Sequence, residues 1–181
     1  MVIPFPRWSA KNHVDLQGLS VIYFASAFIS GATHYFLIMK LSEKGPIWLV
    51  PVLTGPAEVT SQTVQAWPGV VSATHWGLYS VGEKVDGAEF HVNDADLGHI
   101  HLGGDVHLAT SGALREVLVG AGLAEPFPFG GAAYASWVLF RLRTPADAAH
   151  ATWLFELNYR RLRGVPEVEL LTAVAAYQHP V

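Results

Sequence analysis

The stretch LGHIHLGGDVHL, residues 97–108, restricts the fold more than any other part of the chain. Apolar and polar positions alternate up to Leu102, two glycines and an aspartate follow, and alternation resumes at Val106. A period of two with a glycine-rich break is the pattern of an antiparallel hairpin. On such a strand Leu97, His99 and His101 are expected to share one face, and Gly98, Ile100 and Leu102 the other. His107, across the turn, is placed to face the same way as His99 and His101, and His91 on the preceding AEFHV strand is a further candidate.

The elements around the hairpin follow from local signals. A helix is expected from about Ser111 to Gly120, with Leu114, Val117, Leu118 and Ala121 on one face. YASWVLFRLR, 134–143, reads as a strand of ten. Thr144, Pro145 and Asp147 give a cap, a proline at the first helical position and an acid in the first turn, for a helix running to Arg163 and ending at Gly164. The tail 166–177 adds a short helix with Val168, Leu171 and Val174 inward. Residues 54–66 read as a polar linker. The fold class is therefore α+β: an antiparallel sheet with two packed helices, in a domain spanning 67–181.

Ahead of that domain, residues 19–39 hold no Asp, Glu, Lys or Arg. About 20 such residues in a helix cross a hydrocarbon core, so 1–18 reads as an N-terminal segment and 19–40 as a single transmembrane helix. PIWLVPVL, 46–53, is too short to cross and is placed along the interface, within an interfacial segment and linker over 41–66. Ser26, Ser30 and His34 fall on one helix face beside Ala27 and Gly31, a surface suited to other transmembrane helices. His34 is a candidate axial ligand to a pigment or haem, as its spacing resembles the pigment helix of bacterial light-harvesting polypeptides. Arg7 and Lys11 against Lys40 and Lys44 lean to an inside N-terminus and a periplasmic C-terminal domain.

Charged residues make up 14% of the 181, against roughly 25% in average soluble domains, so much of the surface is expected to meet lipid or partners. The net charge of −4 and the absence of a basic patch argue against nucleic acid. No cysteine is present, which excludes disulfides, thiolate metal sites and cysteine nucleophiles. Converging imidazoles can hold Zn, Fe, Cu or Mn, and the His-x-His pair is similar to that of cupins. The cupin carboxylate at fixed spacing is missing, with Asp105 placed in the turn, and no metal is expected. Arg141 and Arg143 read as a solvated strand end. Arg160, Arg161 and Arg163 read as structural helix-end cations or headgroup contacts, and Trp137, Trp153, Phe155 and Tyr159 as core.

The run ADLGHIHLGGDVHLATSGALREVLVGAGLAEPFPFGG, with the strand after it and the helix PADAAHATWLFELNYRRL, resembles the luciferase domain of bioluminescent fungi and its uncharacterised bacterial relatives over roughly residues 86–163. That family pattern has E-[IL]-[GA]-H-x-H, a short turn, a second H-L strand, a helix, and an H-P loop. The resemblance implies a pocket lined by His99, His101 and His107, an N-terminal membrane helix, and O2 addition to a hydroxypyrone without a cofactor. Asp96 stands where the pattern has Glu, and Phe127 where the loop has His. Two functions follow. The favoured one is a membrane-anchored accessory or structural subunit of a photosynthetic or respiratory complex, its luciferase-like domain serving as a binding module. The alternative is a cofactor-independent luciferase-type oxygenase with His99, His101 and His107 catalytic, acting on an enolisable small molecule at the histidine face. It would lose turnover when His99 becomes Ala. The sequence leaves open whether the chain is an enzyme.

Overall fold

The computed structural model describes residues 52–77 and 84–177. In chain order the elements are α1 (Pro56–Gln65), β1 (Val70–Trp76), β2 (Val85–Val92), β3 (Ala95–His101), β4 (Asp105–Ala109), α2 (Gly112–Gly120), β5 (Glu125–Pro126), a 3-10 turn (Ala132–Tyr134), β6 (Trp137–Arg141), α3 (Pro145–Leu162) and α4 (Glu167–Ala176). The six strands form one antiparallel sheet in the order β1-β2-β3-β4-β6-β5. The α+β class stands, with four helices among the described residues rather than two.

Alternation on the strands separates two faces. Ala88, Phe90 and Val92 of β2, Ile100 of β3, Val106 and Leu108 of β4 and Val138 of β6 are buried in one apolar core. The helices close it with Ala57 and Val64 of α1, Leu114 and Leu118 of α2, Ala151, Leu154, Phe155 and Leu157 of α3, and Leu170 and Val174 of α4. Phe90 and Phe155 meet edge to face at 5.5 Å. Polar residues of the same strands point to the opposite face, where the candidate site lies.

The helix starts behave as their sequence signals require. Thr144 and Asp147 make a reciprocal capping box at α3, with Pro145 in the first turn. Ser111 caps α2 by accepting from the amide of Leu114, and its hydroxyl donates to Glu167 at the start of α4.

Four expectations need correcting. Residues 56–65 are not linker but helix α1, whose buried face is Ala57, Thr60, Ser61 and Val64. β6 has five residues, not ten, because Ala132–Tyr134 turns before it. In α4 the fully buried residues are Leu170 and Val174, one helical turn apart; Leu171 packs partly buried against the core as expected, and Val168 is exposed. Leu97 does not share the face of His99. The β2–β3 register slips between Phe90, paired with Gly98, and His91, paired with Asp96, so Leu97 is an extra residue and turns into the core.

That bulge leaves the Leu97 carbonyl outside the ladder, and α3 satisfies it. Asn158 Nδ2 donates to it at 2.7 Å, and Asn158 Oδ1 of the same side chain accepts from Arg161 Nε at 2.7 Å. Arg161 Nη2 also donates to the Ala109 carbonyl at 2.7 Å, so this helix-end arginine ties α3 to β4. Asn158→Leu strips a buried carbonyl of its donor and is expected to cost roughly 1–3 kcal/mol, read by chemical denaturation. An unchanged midpoint would show that the bulge does not need this bond.

Among the described residues no helix is long and apolar enough to cross a membrane. The transmembrane helix expected at 19–40, the interfacial stretch 46–51 and the pigment or haem contact at His34 lie outside the described residues.

Candidate functional site

The polar face of the sheet carries two rows of side chains running across the strands. Ala73, Glu89, His99, His107 and Leu139 are register partners in one row, and His75, Gly87 and His101 in the next. Gly87 has no side chain, so the imidazoles of His75 and His101 approach each other over it, with centroids 4.9 Å apart. His75 also stacks on His99 at 3.8 Å, nearly parallel. Four imidazoles, from β1, β3 and β4, thus converge at one point.

The expected grouping of His99, His101 and His107 is therefore present. The fourth member, His75, is absent from the sequence reading, as are the two carboxylates that orient the cluster. His101 Nδ1 lies 2.8 Å from Asp86 Oδ2, and His75 Nδ1 lies 3.3 Å from Glu89 Oε2. Glu89 Oε1 also meets Nε2 of the buried His91 at 2.9 Å. His91 thus belongs to the carboxylate layer, not to the converging group. Its Nδ1 is buried with no hydrogen-bond partner.

His107 Nδ1 is the hub, 2.9 Å from His99 Nε2 and 3.1 Å from His101 Nε2. Proton positions follow from the network. A carboxylate can only accept, so His101 donates from Nδ1 to Asp86 and presents a bare Nε2 inward. His107 then donates from Nδ1 to the inner nitrogens. Its Nε2, the lone-pair nitrogen of that tautomer, makes no hydrogen bond among the described residues.

The surroundings of His99, His101 and His107 all favour the neutral imidazole. Burial holds His99 well below its ordinary range, and His75, His107 and His101 push it further down. Burial, then His75, lowers His101 against the opposing pull of Asp86. Burial, then His101, takes His107 to about 3. Neutral imidazole is the form that accepts a proton or binds a metal.

Aromatic rings wall the cluster on the β6 side. Phe127 stands edge to face on His107 at 4.8 Å and also meets Trp137 and Tyr134. Trp137, expected in the core, is buried on the histidine face instead, 5.7 Å from His99. Phe155 is core as expected, while Trp153 stacks on Tyr177 at 3.6 Å. Arg141 and Arg143 form no anion clamp. Arg141 pairs with Glu125 at 2.5 Å, and Arg143 pairs with Asp105 and donates to the Gly103 carbonyl at 2.8 Å.

His75, His99 and His101 offer ligand nitrogens within 4.8 Å of one another and can hold a metal ion. The arrangement supports three kinds of chemistry: taking a proton, donating N–H to a developing oxyanion, or coordinating a cation.

The family model of the luciferase domain matches residues 94–158, from the β2–β3 turn to the last turns of α3. His99, His101, His107, Phe127 and Trp137 fall inside the match, and His75, Asp86 and Glu89 outside it. Comparison with curated proteins and with solved structures found no match.

Proposed function

We propose that this luciferase-type domain is an oxygenase acting on a planar, enolisable small molecule at the histidine face, with His107 as the group that takes the substrate proton. The observation that carries this reading is the chain Asp86 Oδ2, His101, His107, joined at 2.8 and 3.1 Å and ending beside the Phe127 and Trp137 rings. Each link fixes the tautomer of the next, so the His107 lone pair sits on Nε2, the nitrogen that His99 and His101 do not engage.

The low basicity of His107 reflects burial, and a substrate changes that balance. An enol giving its proton to Nε2 becomes an anion beside the new imidazolium, and the two charges offset the desolvation cost of each. His101 accepts the hydrogen bond from Nδ1 of that imidazolium, and Asp86 supports His101 from behind. The enolate carbon then adds O2, which is both oxidant and co-reactant, and the proton returns to the new peroxide oxygen. The aromatic wall holds a flat ring by offset or edge contacts, worth about 0.5–1.5 kcal/mol per pair beyond area burial.

The uncharged run at 19–39 supports a second element, a single-pass anchor that leaves the domain on the periplasmic side. The same run, with His34, supports the reading as an accessory subunit of a photosynthetic or respiratory membrane complex. One preparation separates the two. The full chain is extracted from its native membrane in mild detergent, sized, its absorption recorded, and its O2 uptake followed with a panel of hydroxypyrones. A chain that runs alone, colourless, and consumes O2 with one of them meets the proposal. A chain locked in a large pigmented or haem-bearing assembly, with no uptake, would replace the oxygenase with the accessory subunit and make His34 the residue to mutate.

A further inference from the structure

We propose that His75, His99 and His101 form a binding site for one divalent first-row transition ion, held in shape by Asp86 and Glu89 of β2. Three residues of this set, His75, Asp86 and Glu89, lie outside the matched family region, so the site is argued from the structure alone.

The first observation is the arrangement of lone pairs. His101 gives its only proton to Asp86, so its Nε2 carries none. That nitrogen lies 3.1 Å from His107 Nδ1, which lies 2.9 Å from His99 Nε2. His107 donates inward from Nδ1, and its one proton is shared between the two acceptors His99 and His101. One of these two nitrogens is therefore always short of a proton, and an unmet acceptor in a buried site costs about 1–3 kcal/mol. A cation held between His99 and His101 satisfies both.

The second observation is the layer behind the ligands. Metal-bound histidines usually donate their other N–H to a carboxylate or carbonyl, which sets the tautomer and the ring plane. Asp86 does this for His101 at 2.8 Å, and Glu89 for His75 at 3.3 Å. Both rings are thereby left with a bare Nε2. The two carboxylates flank Gly87, over which His75 and His101 close.

The third observation is spacing. Metal–nitrogen bonds of about 2.0–2.1 Å place neighbouring donors roughly 3–3.4 Å apart. The ligand nitrogens of His75, His99 and His101 lie within 4.8 Å of one another, so a small closing of the three rings brings them to that edge length. Three imidazoles fill three positions of a catalytic-type site and leave one open. His107 stands beside the open position, where its Nδ1–H donates to an oxygen bound there and its Nε2 keeps the lone pair. An all-imidazole donor set suits Zn2+, Fe2+, Ni2+ or Cu2+ rather than Mg2+ or Ca2+.

The test uses the untagged full chain in detergent, stripped with chelator and titrated with Co2+, followed by visible d–d absorption and by calorimetry. One Co2+ per chain is expected. Binding should be lost in His75→Ala and His101→Ala and weakened about 10- to 100-fold in Asp86→Asn, the usual effect of losing an orienting carboxylate. Circular dichroism checks that each variant is folded, and Asp86→Asn, which keeps all four imidazoles, serves if the alanine variants are not. No saturable uptake by the unaltered chain, or uptake unchanged in a folded His75→Ala and in Asp86→Asn, overturns the site. Because uptake is read without turnover, the metal site and the oxygenase reading fail separately. Stoichiometric Co2+ without O2 consumption removes only the oxygenase.

Discussion

Gly87→Ala is expected to cost the fold roughly 3 kcal/mol or more, and to open the histidine cluster in whatever folded protein remains. A methyl group at this position would lie 2.0 Å from the Ile100 carbonyl oxygen and 2.9 Å from the His101 Cα. Both are backbone atoms of β3, so no side-chain rotation can relieve the overlap. β3 has to move away from β2, or the ladder between them has to break. Either response strains the buried row Ala88, Phe90 and Ile100 on the core side. On the other side it separates His75 from His101, the pair that Gly87 allows to meet. Penalties above about 3 kcal/mol belong to overpacking or broken networks, and here both act together. Chemical denaturation measures the loss, and Co2+ titration of the folded fraction measures the site. A variant of ordinary stability that still binds Co2+ would show that β2 and β3 are not held this closely.

Gly98 makes a similar demand for a different reason. Its φ of +141° belongs to the β2–β3 bulge, and an added methyl would stand 2.6 Å from the His107 carbonyl. The alternation of 97–102 identifies the strand and the orientation of His99 and His101. It cannot show the bulge, because a bulge arises from pairing with β2. Hence the alternation places His99 and His101 on their face but puts Leu97 on the wrong one.

The same division between local and long-range information explains the rest. The 103–105 turn, the Ser111 cap and the Thr144–Asp147 box are encoded within a few residues, and all are found. Helix α1 was illegible because its buried stripe, Ala57, Thr60, Ser61 and Val64, has helical spacing but little apolar character. Thr60 and Ser61 are small enough to let α1 approach α3, and the Thr60 hydroxyl lies 3.4 Å from the Ala148 carbonyl. β1 is hard to read in the sequence for a related reason. In VVSATHW the polar and small residues blur the alternation, and His75 is its one titratable side chain. That lone histidine at an even spacing from Ala73 was the available signal, but only the β1–β2 register brings it to His101. The loop residue Phe127 is visible in the sequence only as a departure from the family's H-P pattern, and the structure shows it as a wall against His107.

His107→Ala is expected to lower kcat about 100- to 10,000-fold for an enolisable substrate, the usual range for removing a general base, with KM changed little. The asymmetry follows from position. His107 Nδ1 faces inward to His99 and His101, so in the proposed reaction Nε2 is left for the substrate proton, and most of the contact surface is assigned to Phe127 and Trp137. Removing the imidazole leaves that surface in place and takes away the proton acceptor. Added imidazole should restore part of the rate, because the vacated volume lies against the Phe127 ring and is shaped for the same heterocycle. Rescue separates a lost base from a damaged fold, which no free imidazole repairs. Asp86→Asn should give a smaller loss without rescue, since it weakens the support of His101 and leaves the acceptor present. A His107→Ala variant with undiminished kcat, folded and binding substrate, would move the proton transfer off this residue and leave His99, the imidazole beside the Trp137 ring, as the group to test next.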